Sequence, residues 1–172
     1  AFDYRDINGA KVIVRNAKDG EQITTLDEKE HKLSSDMLVI ADAQNPSCLA
    51  GIMGGLNSEI KDDTNTLFLE SAKFKRDNIR KTARALGIRT ESSARYERGI
   101  DIINTKYASD RALQLIDELG AGEIVDGTID LNQGLPTERE LKVSSQKINA
   151  LLGLEIAGEK MCDILNSLHI KY

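Results

Sequence analysis

The chain has 172 residues, 40% of them hydrophobic, and carries a net charge of −5. No apolar run approaches the roughly 20 residues that span a bilayer, so we expect a soluble chain of one domain or slightly more, with no membrane partner. Cys48 and Cys162 lie far apart and outside any CxxC motif. This excludes a disulfide framework or a cysteine-based zinc site and favours a reducing, cytoplasmic location.

The charge is unevenly distributed along the chain. Residues 73–98 contain nine basic side chains against three acidic ones, a local net charge of +6 that leaves −11 for the rest of the chain. Such segregation is typical of a surface that faces phosphate groups on an otherwise acidic protein. A solvated, arginine-rich helix face would have the same composition, so charge alone does not decide between these two interpretations.

Short β-rich segments fill the first seventy residues. We predict strands over 11–15, 21–26, 37–41, 47–52 and 66–71, because each is rich in β-branched or aliphatic residues and is bounded by turn signals such as Asn8-Gly9 and Asp19-Gly20. From about Arg76 the apolar period becomes helical, and Gly87 occupies the position of a C-cap glycine. A second helix is predicted over 104–119, and a strand over 123–131.

Residues 132–136 (NQGLP) have the composition of a linker between domains. We therefore predict one domain over 1–131 and the opening of a second over 137–172, with a strand at 138–143 and helices at 145–152 and 158–168. Thirty-six residues bury too little surface to fold alone, so we expect the second domain to be truncated. The predicted fold class is α+β: a mixed β core with packed helices, followed by a truncated βαα element.

Two features could carry chemistry. Residues 51–55 (GIMGG) end a predicted strand, and adjacent glycines allow a ligand to approach backbone N–H groups, although a tight turn explains them equally well. Glu70 ends the predicted strand 66–71 on the same face as Phe68. A carboxylate on an apolar face costs free energy unless it is paired, so it could instead form an ion pair with Arg80 or Arg84, or cap the strand.

Other kinds of site find no support in the sequence. His31 and His169 are not placed to activate a Ser or Cys nucleophile, and Asp62-Asp63 lacks the spacing of a calcium loop. Any catalysis must therefore come from positioning, backbone donors and groups of the substrate.

Four motifs in this order closely resemble the B3/B4 region of bacterial phenylalanyl-tRNA synthetase β subunits. They are 51–55 (GIMGG), 69–70 (LE), 79–93 (IRKTARALGIRTESS) and 95–101 (RYERGID). The resemblance extends to about Leu131, and residues 137–172 look like the opening of the B5 domain of the same subunit. The resemblance therefore implies that the chain is an internal piece of that subunit.

The resemblance implies a B3/B4-like editing domain that hydrolyses tyrosine mistakenly esterified to tRNA(Phe). A synthetic pocket for Phe rejects a near-isostere that adds one hydroxyl only by about 100-fold, so a second site is needed. In the family the glutamate of the Leu-Glu motif, here Glu70, accepts a hydrogen bond from the tyrosine hydroxyl. Gly54, Thr90 and Ser92 map onto the editing pocket; the family commonly has Ala where this chain has Ser92.

The resemblance also implies a histidine directly before Ala1 that contributes to the editing site. Without it, our hypothesis for hydrolysis is a water held by backbone groups near Gly54 and Thr90 and assisted by a ribose hydroxyl of the terminal adenosine. The basic helix, with Arg76, Arg80, Lys81 and Arg84, is the candidate RNA-binding surface. Residues 95–101 are interpreted as architectural, with two arginines and two acids fixing a loop.

For the whole synthetase the resemblance implies ATP and Mg²⁺ as cofactors, none of them held by this chain, and an α subunit partner in a heterotetramer, with the 3′ end of tRNA(Phe) as ligand. A non-catalytic structural or RNA-binding module is the alternative, in which Glu70 is paired internally. A freestanding hydrolase of other aminoacyl esters is disfavoured by the B5-like continuation.

Overall fold

The computed structural model describes residues 1–132, 134–137 and 139–172. Its described residues form eight short strands: β1 (Phe2–Asp3), β2 (Ile13–Asn16), β3 (Gln22–Thr24), β4 (Glu30–Lys32), β5 (Leu38–Ala41), β6 (Pro46–Leu49), β7 (Met53–Gly54) and β8 (Leu67–Phe68). They also form five α-helices: α1 (Arg76–Leu86), α2 (Glu91–Tyr96), α3 (Ile103–Glu118), α4 (Ser145–Leu152) and α5 (Gly158–Ser167). The predicted α+β class is confirmed.

The strands form three small sheets in which every described pairing is antiparallel. The largest has the order β2-β5-β6-β7, while β3 pairs with β4 and β1 with β8. A bridge between Thr25 and Gly55 connects the β3–β4 hairpin to the end of β7. Helix α1 packs its apolar side on this assembly: Ile79 is completely buried, as are Val39 of β5 and Leu49 of β6. Burial of each such side chain contributes about 1.5–3 kcal/mol to folding.

The β1–β8 pair fixes the segment that leads to Glu70. Phe2 lies opposite Phe68, and their rings are 6.3 Å apart between centroids. Asp3 is completely buried, and its carboxylate accepts hydrogen bonds from Arg5 (2.7 Å) and from the Thr64 hydroxyl (2.7 Å). The bond from Arg5, more than any other contact, holds the pKa of Asp3 well below its usual range. Strand β8 and the segment that precedes it are therefore anchored to the start of the chain.

Several predicted elements are present with small shifts in their bounds, and two predicted strands are wrong. Residues 123–131 form no strand, because their aliphatic side chains find no buried face: Val125 and Ile129 are each 82% exposed. Residues 139–143 also form none, whereas Glu138, the first residue of that predicted strand, and Gln133 of the predicted linker lie outside the described residues. Strand β8 is shorter than predicted and ends at Phe68.

The chain separates into two compact units, Ala1–Leu131 and Asn132–Tyr172. The second contains helices α4 and α5. Helix α4 ends at Gly153, which adopts the left-handed conformation of a C-cap. The Asn149 side chain exchanges two hydrogen bonds with the backbone of Ile156, of 3.0 and 3.1 Å, and so closes the turn that follows.

Candidate functional site

Glu70 lies two residues beyond the end of β8 and is half-buried. Within the described part of the chain, its carboxylate has no hydrogen-bond donor and no basic side chain as partner. The two arginines considered as partners are engaged elsewhere or unpaired: Arg80 contacts Asp77 at 3.5 Å, and Arg84 forms no ion pair with any described residue. Burial raises the pKa of Glu70, because a desolvated carboxylate disfavours its charged form.

The charge of Glu70 contributes to the pKa shifts of two other titratable side chains. Burial, reinforced by Glu70, raises the pKa of the Cys48 thiol to about 12. Burial also raises the pKa of Tyr96, again with a contribution from Glu70. Neither group donates to the carboxylate: the Cys48 thiol points at backbone carbonyls of Leu49 and Met53, and the Tyr96 hydroxyl donates to the Ala72 carbonyl oxygen at 3.0 Å. Glu70 is thus left as an open hydrogen-bond acceptor.

The side chains of Thr90 and Ser92 form hydrogen bonds with the protein's own backbone. The Thr90 hydroxyl donates to the carbonyl oxygen of Ile52 (2.8 Å), and the Ser92 hydroxyl donates to that of Gly51 (3.0 Å). These carbonyls lie in the turn between β6 and β7. Both side chains therefore fasten the start of α2 to this turn, and the hydroxyl that Ser92 adds satisfies a backbone carbonyl.

Thr90 is also the N-cap of α2. Its hydroxyl accepts from the Ser93 N–H (3.0 Å), its own N–H donates to the Ser93 hydroxyl (2.9 Å), and its carbonyl accepts from Ala94 (3.0 Å). This reciprocal pairing is a capping box. The N–H and carbonyl groups of Thr90 are thus engaged in the cap. That backbone groups near Gly54 and Thr90 hold the attacking water stays a prediction.

The glycines of 51–55 have different physical roles. Only Gly51 has a positive φ, of 68°, and a Cβ there would lie 2.8 Å from the Phe74 ring. A Cβ on Gly55 would meet the Ser47 carbonyl at 2.7 Å, whereas one on Gly54 would meet the Leu26 side chain at 3.2 Å. Gly54 pairs across the sheet with Cys48, so it lies beside a group that feels the charge of Glu70. Glycine is needed at positions 54 and 55 because a side chain would meet neighbouring atoms, and not because these residues have positive φ angles.

The basic side chains of 73–98 all lie on the surface. The four named cations, Arg76, Arg80, Lys81 and Arg84, are exposed on α1 while Ile79 and Ala83 face the core. Arg76 and Arg80 share the single acid Asp77, at 3.9 and 3.5 Å. Lys81 and Arg84 have no acidic partner among the residues that the structure describes, so this face retains uncompensated positive charge.

Residues 1–121 match the family model of the B3/4 domain. The chain belongs to the B3/4 domain family. Curated relatives extend the likeness along the B3/4 domain and beyond it. The phenylalanine–tRNA ligase β subunits of Clostridium tetani and Syntrophus aciditrophicus are 44% and 46% identical over 171 and 169 residues, or 99% and 98% of this chain. That of Bacillus subtilis is 40% identical over 168 residues, 98% of the chain.

This B3/4 domain chain spans about a fifth of the length of the relatives that it matches, 22%, 21% and 21% respectively. Among the described residues no helix is both long and apolar enough to cross a bilayer. Within the same residues, no three His, Cys, Asp or Glu side chains cluster as metal ligands.

Sequence reasoning did not identify Tyr96 as a neighbour of Glu70 in the candidate site. The sequence interpretation makes residues 95–101 an architectural loop, but Tyr96 belongs to helix α2, and its ring packs on Phe74 with centroids 5.1 Å apart. An aromatic residue amid charged ones was the available signal. Its partners are 22 and 24 positions away in sequence, so spacing could not identify them.

Proposed function

We propose that this chain is the editing module of a phenylalanine–tRNA ligase β subunit and hydrolyses tyrosine wrongly esterified to tRNA(Phe). The names of the relatives support the ligase assignment. The observation that carries the editing assignment is the half-buried Glu70 carboxylate, which forms no hydrogen bond or salt bridge with any described residue. Burial raises its pKa, and the charge of the Ala1 ammonium group opposes this shift. In a non-catalytic scaffold we would expect this carboxylate to be paired or replaced by a neutral side chain, because an unpaired buried charge destabilises the fold.

An unpaired carboxylate selects tyrosine over phenylalanine by a simple mechanism. The phenol of a tyrosyl ester donates a hydrogen bond to Glu70 and replaces the water that the carboxylate loses on binding. A phenylalanyl ester has no such donor and leaves the carboxylate desolvated and unpaired. The site thereby inverts the preference of a synthetic pocket shaped for phenylalanine.

The hydrolytic step relies on the substrate in this proposal. Because the backbone of Thr90 caps α2, backbone groups near Gly54 would hold the attacking water, and a ribose hydroxyl of the terminal adenosine would help to position and polarise it. Substrates whose neighbouring ribose hydroxyl is replaced by hydrogen should then be hydrolysed far more slowly. Full activity on such a deoxy substrate would overturn this assignment.

The remaining features of the whole enzyme follow from the same proposal. ATP and Mg²⁺ would serve amino-acid activation in another part of the synthetase, and the proposed hydrolysis requires neither. The β subunit would assemble with an α subunit as a heterotetramer in the cytoplasm. The exposed cations Arg76, Arg80, Lys81 and Arg84 would contact the phosphates of tRNA(Phe) near its 3′ end.

The decisive experiment compares deacylation of Tyr-tRNA(Phe) and Phe-tRNA(Phe) by the full-length polypeptide and its Glu70→Gln variant. Glutamine keeps the shape but loses the charged acceptor, so kcat/KM for the tyrosyl ester should fall about 10- to 100-fold, with little change for the phenylalanyl ester. Glu59→Gln, at an exposed position, is the matched control and should behave as wild type. An unchanged preference in Glu70→Gln would favour the non-catalytic module.

A further inference from the structure

A second candidate site lies within the first unit, beside Glu70. It is a cleft of about 410 Å³ between the segment that follows Glu70 and the first turns of α3. Ser71 and Ala72 of that segment line it, as do Asn104 and Ala108 of α3 and Tyr96 of α2. Because Ser71 directly follows Glu70, the cleft begins within about 4 Å of backbone from the proposed selectivity residue.

Hydrogen bonds hold both walls of the cleft in place. The Ser71 hydroxyl donates to the Thr105 carbonyl oxygen of α3 at 2.6 Å, which ties the two sides together. The Tyr96 hydroxyl donates to the Ala72 carbonyl oxygen at 3.0 Å, and its ring packs against Phe74. The cleft is therefore formed before any ligand enters.

The polar groups that line the cleft are suited to a ligand that both donates and accepts hydrogen bonds. The Asn104 carboxamide has no hydrogen-bond partner among the described residues. Asp101 accepts one bond, from the N–H of Ile103 at 3.0 Å, and pairs with no described cation. A carboxamide can pair with both edge groups of adenine, and a carboxylate accepts hydrogen bonds from ribose hydroxyls.

Three basic residues lie next to cleft residues in the sequence or in the fold. Lys73 follows Ala72, and Arg98 precedes Gly99 and the cleft residue Ile100; both are exposed, and neither pairs with an acid among the described residues. The stem of Arg76 passes close to Gly99, with its Cδ 3.9 Å from where a Cβ would lie. Cations at the edge and neutral or acidic groups inside are the pattern expected for phosphates outside and a nucleoside within.

We propose that this cleft binds the terminal nucleoside of the aminoacylated RNA, with its base beside Tyr96 and Asn104 and its ribose near Asp101. The inference rests on the proposed function, because it assigns the nucleoside of the substrate whose amino acid meets Glu70. A base beside an aromatic ring gains stacking energy, and the Asn104 carboxamide adds discrimination for adenine.

Ala108→Leu and Asn104→Ala test the cleft in the full-length polypeptide. Leucine at the exposed helical position 108 fills the cleft, and alanine at position 104 removes the carboxamide. Binding of the trinucleotide CpCpA, followed by saturation-transfer NMR, should weaken about 10-fold in both variants. Gln114→Leu places the same side chain on an exposed position of α3 outside the cleft and should leave binding unchanged.

Kinetics separate this proposal from the proposed function. In the two cleft variants, kcat/KM for Tyr-tRNA(Phe) should fall about 10-fold while the ratio of tyrosyl to phenylalanyl ester hydrolysis stays that of wild type. If both variants bind CpCpA as tightly as wild type, the proposal that the cleft binds a nucleoside is wrong. This conclusion does not depend on the result for Glu70→Gln. If Glu70→Gln leaves the tyrosyl preference unchanged but the cleft variants lose CpCpA, editing selectivity fails and the nucleoside site stands.

Discussion

The hydroxyl groups of Thr90 and Ser92 each donate a hydrogen bond to a backbone carbonyl oxygen. The two residues should nevertheless contribute unequally to the stability of the fold. Thr90 caps α2 in addition to bonding Ile52, whereas Ser92 makes only its bond to Gly51. We expect Thr90→Ala to lower the free energy of unfolding by about 1–2 kcal/mol and Ser92→Ala by about 0.5–1 kcal/mol. Urea denaturation of the two variants measures the difference. An equal cost would mean that the cap contributes nothing.

Glu70 should destabilise the fold at neutral pH, as expected of a group kept for binding. Its pKa is raised above that of an unfolded glutamate, so the folded state binds the proton more tightly. This contribution to stability is fully present below the unfolded pKa, about 4.3, and is lost as pH rises through the folded pKa. Glu70→Gln should therefore be more stable than wild type at pH 7, by about 0.5–2 kcal/mol.

The advantage of Glu70→Gln should shrink as the pH falls below the unfolded pKa, about 4.3, because the carboxyl group then becomes protonated in both states. Urea midpoints measured between pH 3.5 and 8 check this. Glu59→Gln, at an exposed position, should show no such trend. A variant less stable than wild type at pH 7 would reveal a stabilising partner for the carboxylate and contradict its role as an open acceptor.

At the scale of elements, the turn between β6 and β7 depends on Gly51. Gly51 and Gly87 have nearly the same φ, 68° and 66°, but only Gly51 lacks space for a side chain: a Cβ would lie 2.8 Å from Phe74 and 3.0 Å from Ile79. Gly87→Ala should cost only the left-handed strain, about 1–2 kcal/mol. Gly51→Ala adds overpacking of about 1–3 kcal/mol, and calorimetry of the pair isolates that steric term. Equal melting temperatures of the Gly51→Ala and Gly87→Ala variants would show that the turn rearranges to accept the extra methyl group at no cost in stability.

Elements that depend on local signals could be predicted from the sequence. Helix α1 follows from the spacing of Ile79, Ala83 and Leu86 and from Gly87, and the structure ends it there. Helix α2 has only six residues and no apolar period, so periodicity does not predict it, and its start is defined by the capping box of Thr90 and Ser93. Strand β4 is polar and exists through its pairing with β3. The strand predicted at 123–131 fails for the opposite reason: apolar composition without a partner.

Part of the candidate site could likewise be predicted from the sequence, and part could not. Glu70 could be singled out because a carboxylate next to an apolar strand conflicts with burial, a conflict visible in the sequence. The cleft beside it could not, because Ser71, Tyr96 and Asn104 meet only through tertiary contacts. Likewise, nothing in the spacing of Thr90 and Ser92 indicates that both hydroxyls point at the turn formed by Gly51 and Ile52.

At the scale of the whole molecule, an acidic chain with one basic face should bind RNA in a strongly salt-dependent manner. Lys81 and Arg84 extend from α1 without acidic partners among the described residues, so each phosphate that they neutralise releases a counterion. The double substitution Lys81→Gln/Arg84→Gln should weaken tRNA(Phe) binding and make the slope of log K against log salt shallower by about 1 to 2. Filter binding between 50 and 300 mM salt measures both effects.

The control for this prediction is Lys160→Gln, in α5 of the second unit, which removes a lysine remote in sequence from the basic segment. It lowers the net charge by one and so tests whether total charge, rather than its placement, governs binding. If placement decides, Lys160→Gln leaves the slope unchanged, because a cation that touches no phosphate releases no counterion on binding. A slope reduced equally by every lysine substitution would instead mean that RNA binds to the chain without preferring the α1 face.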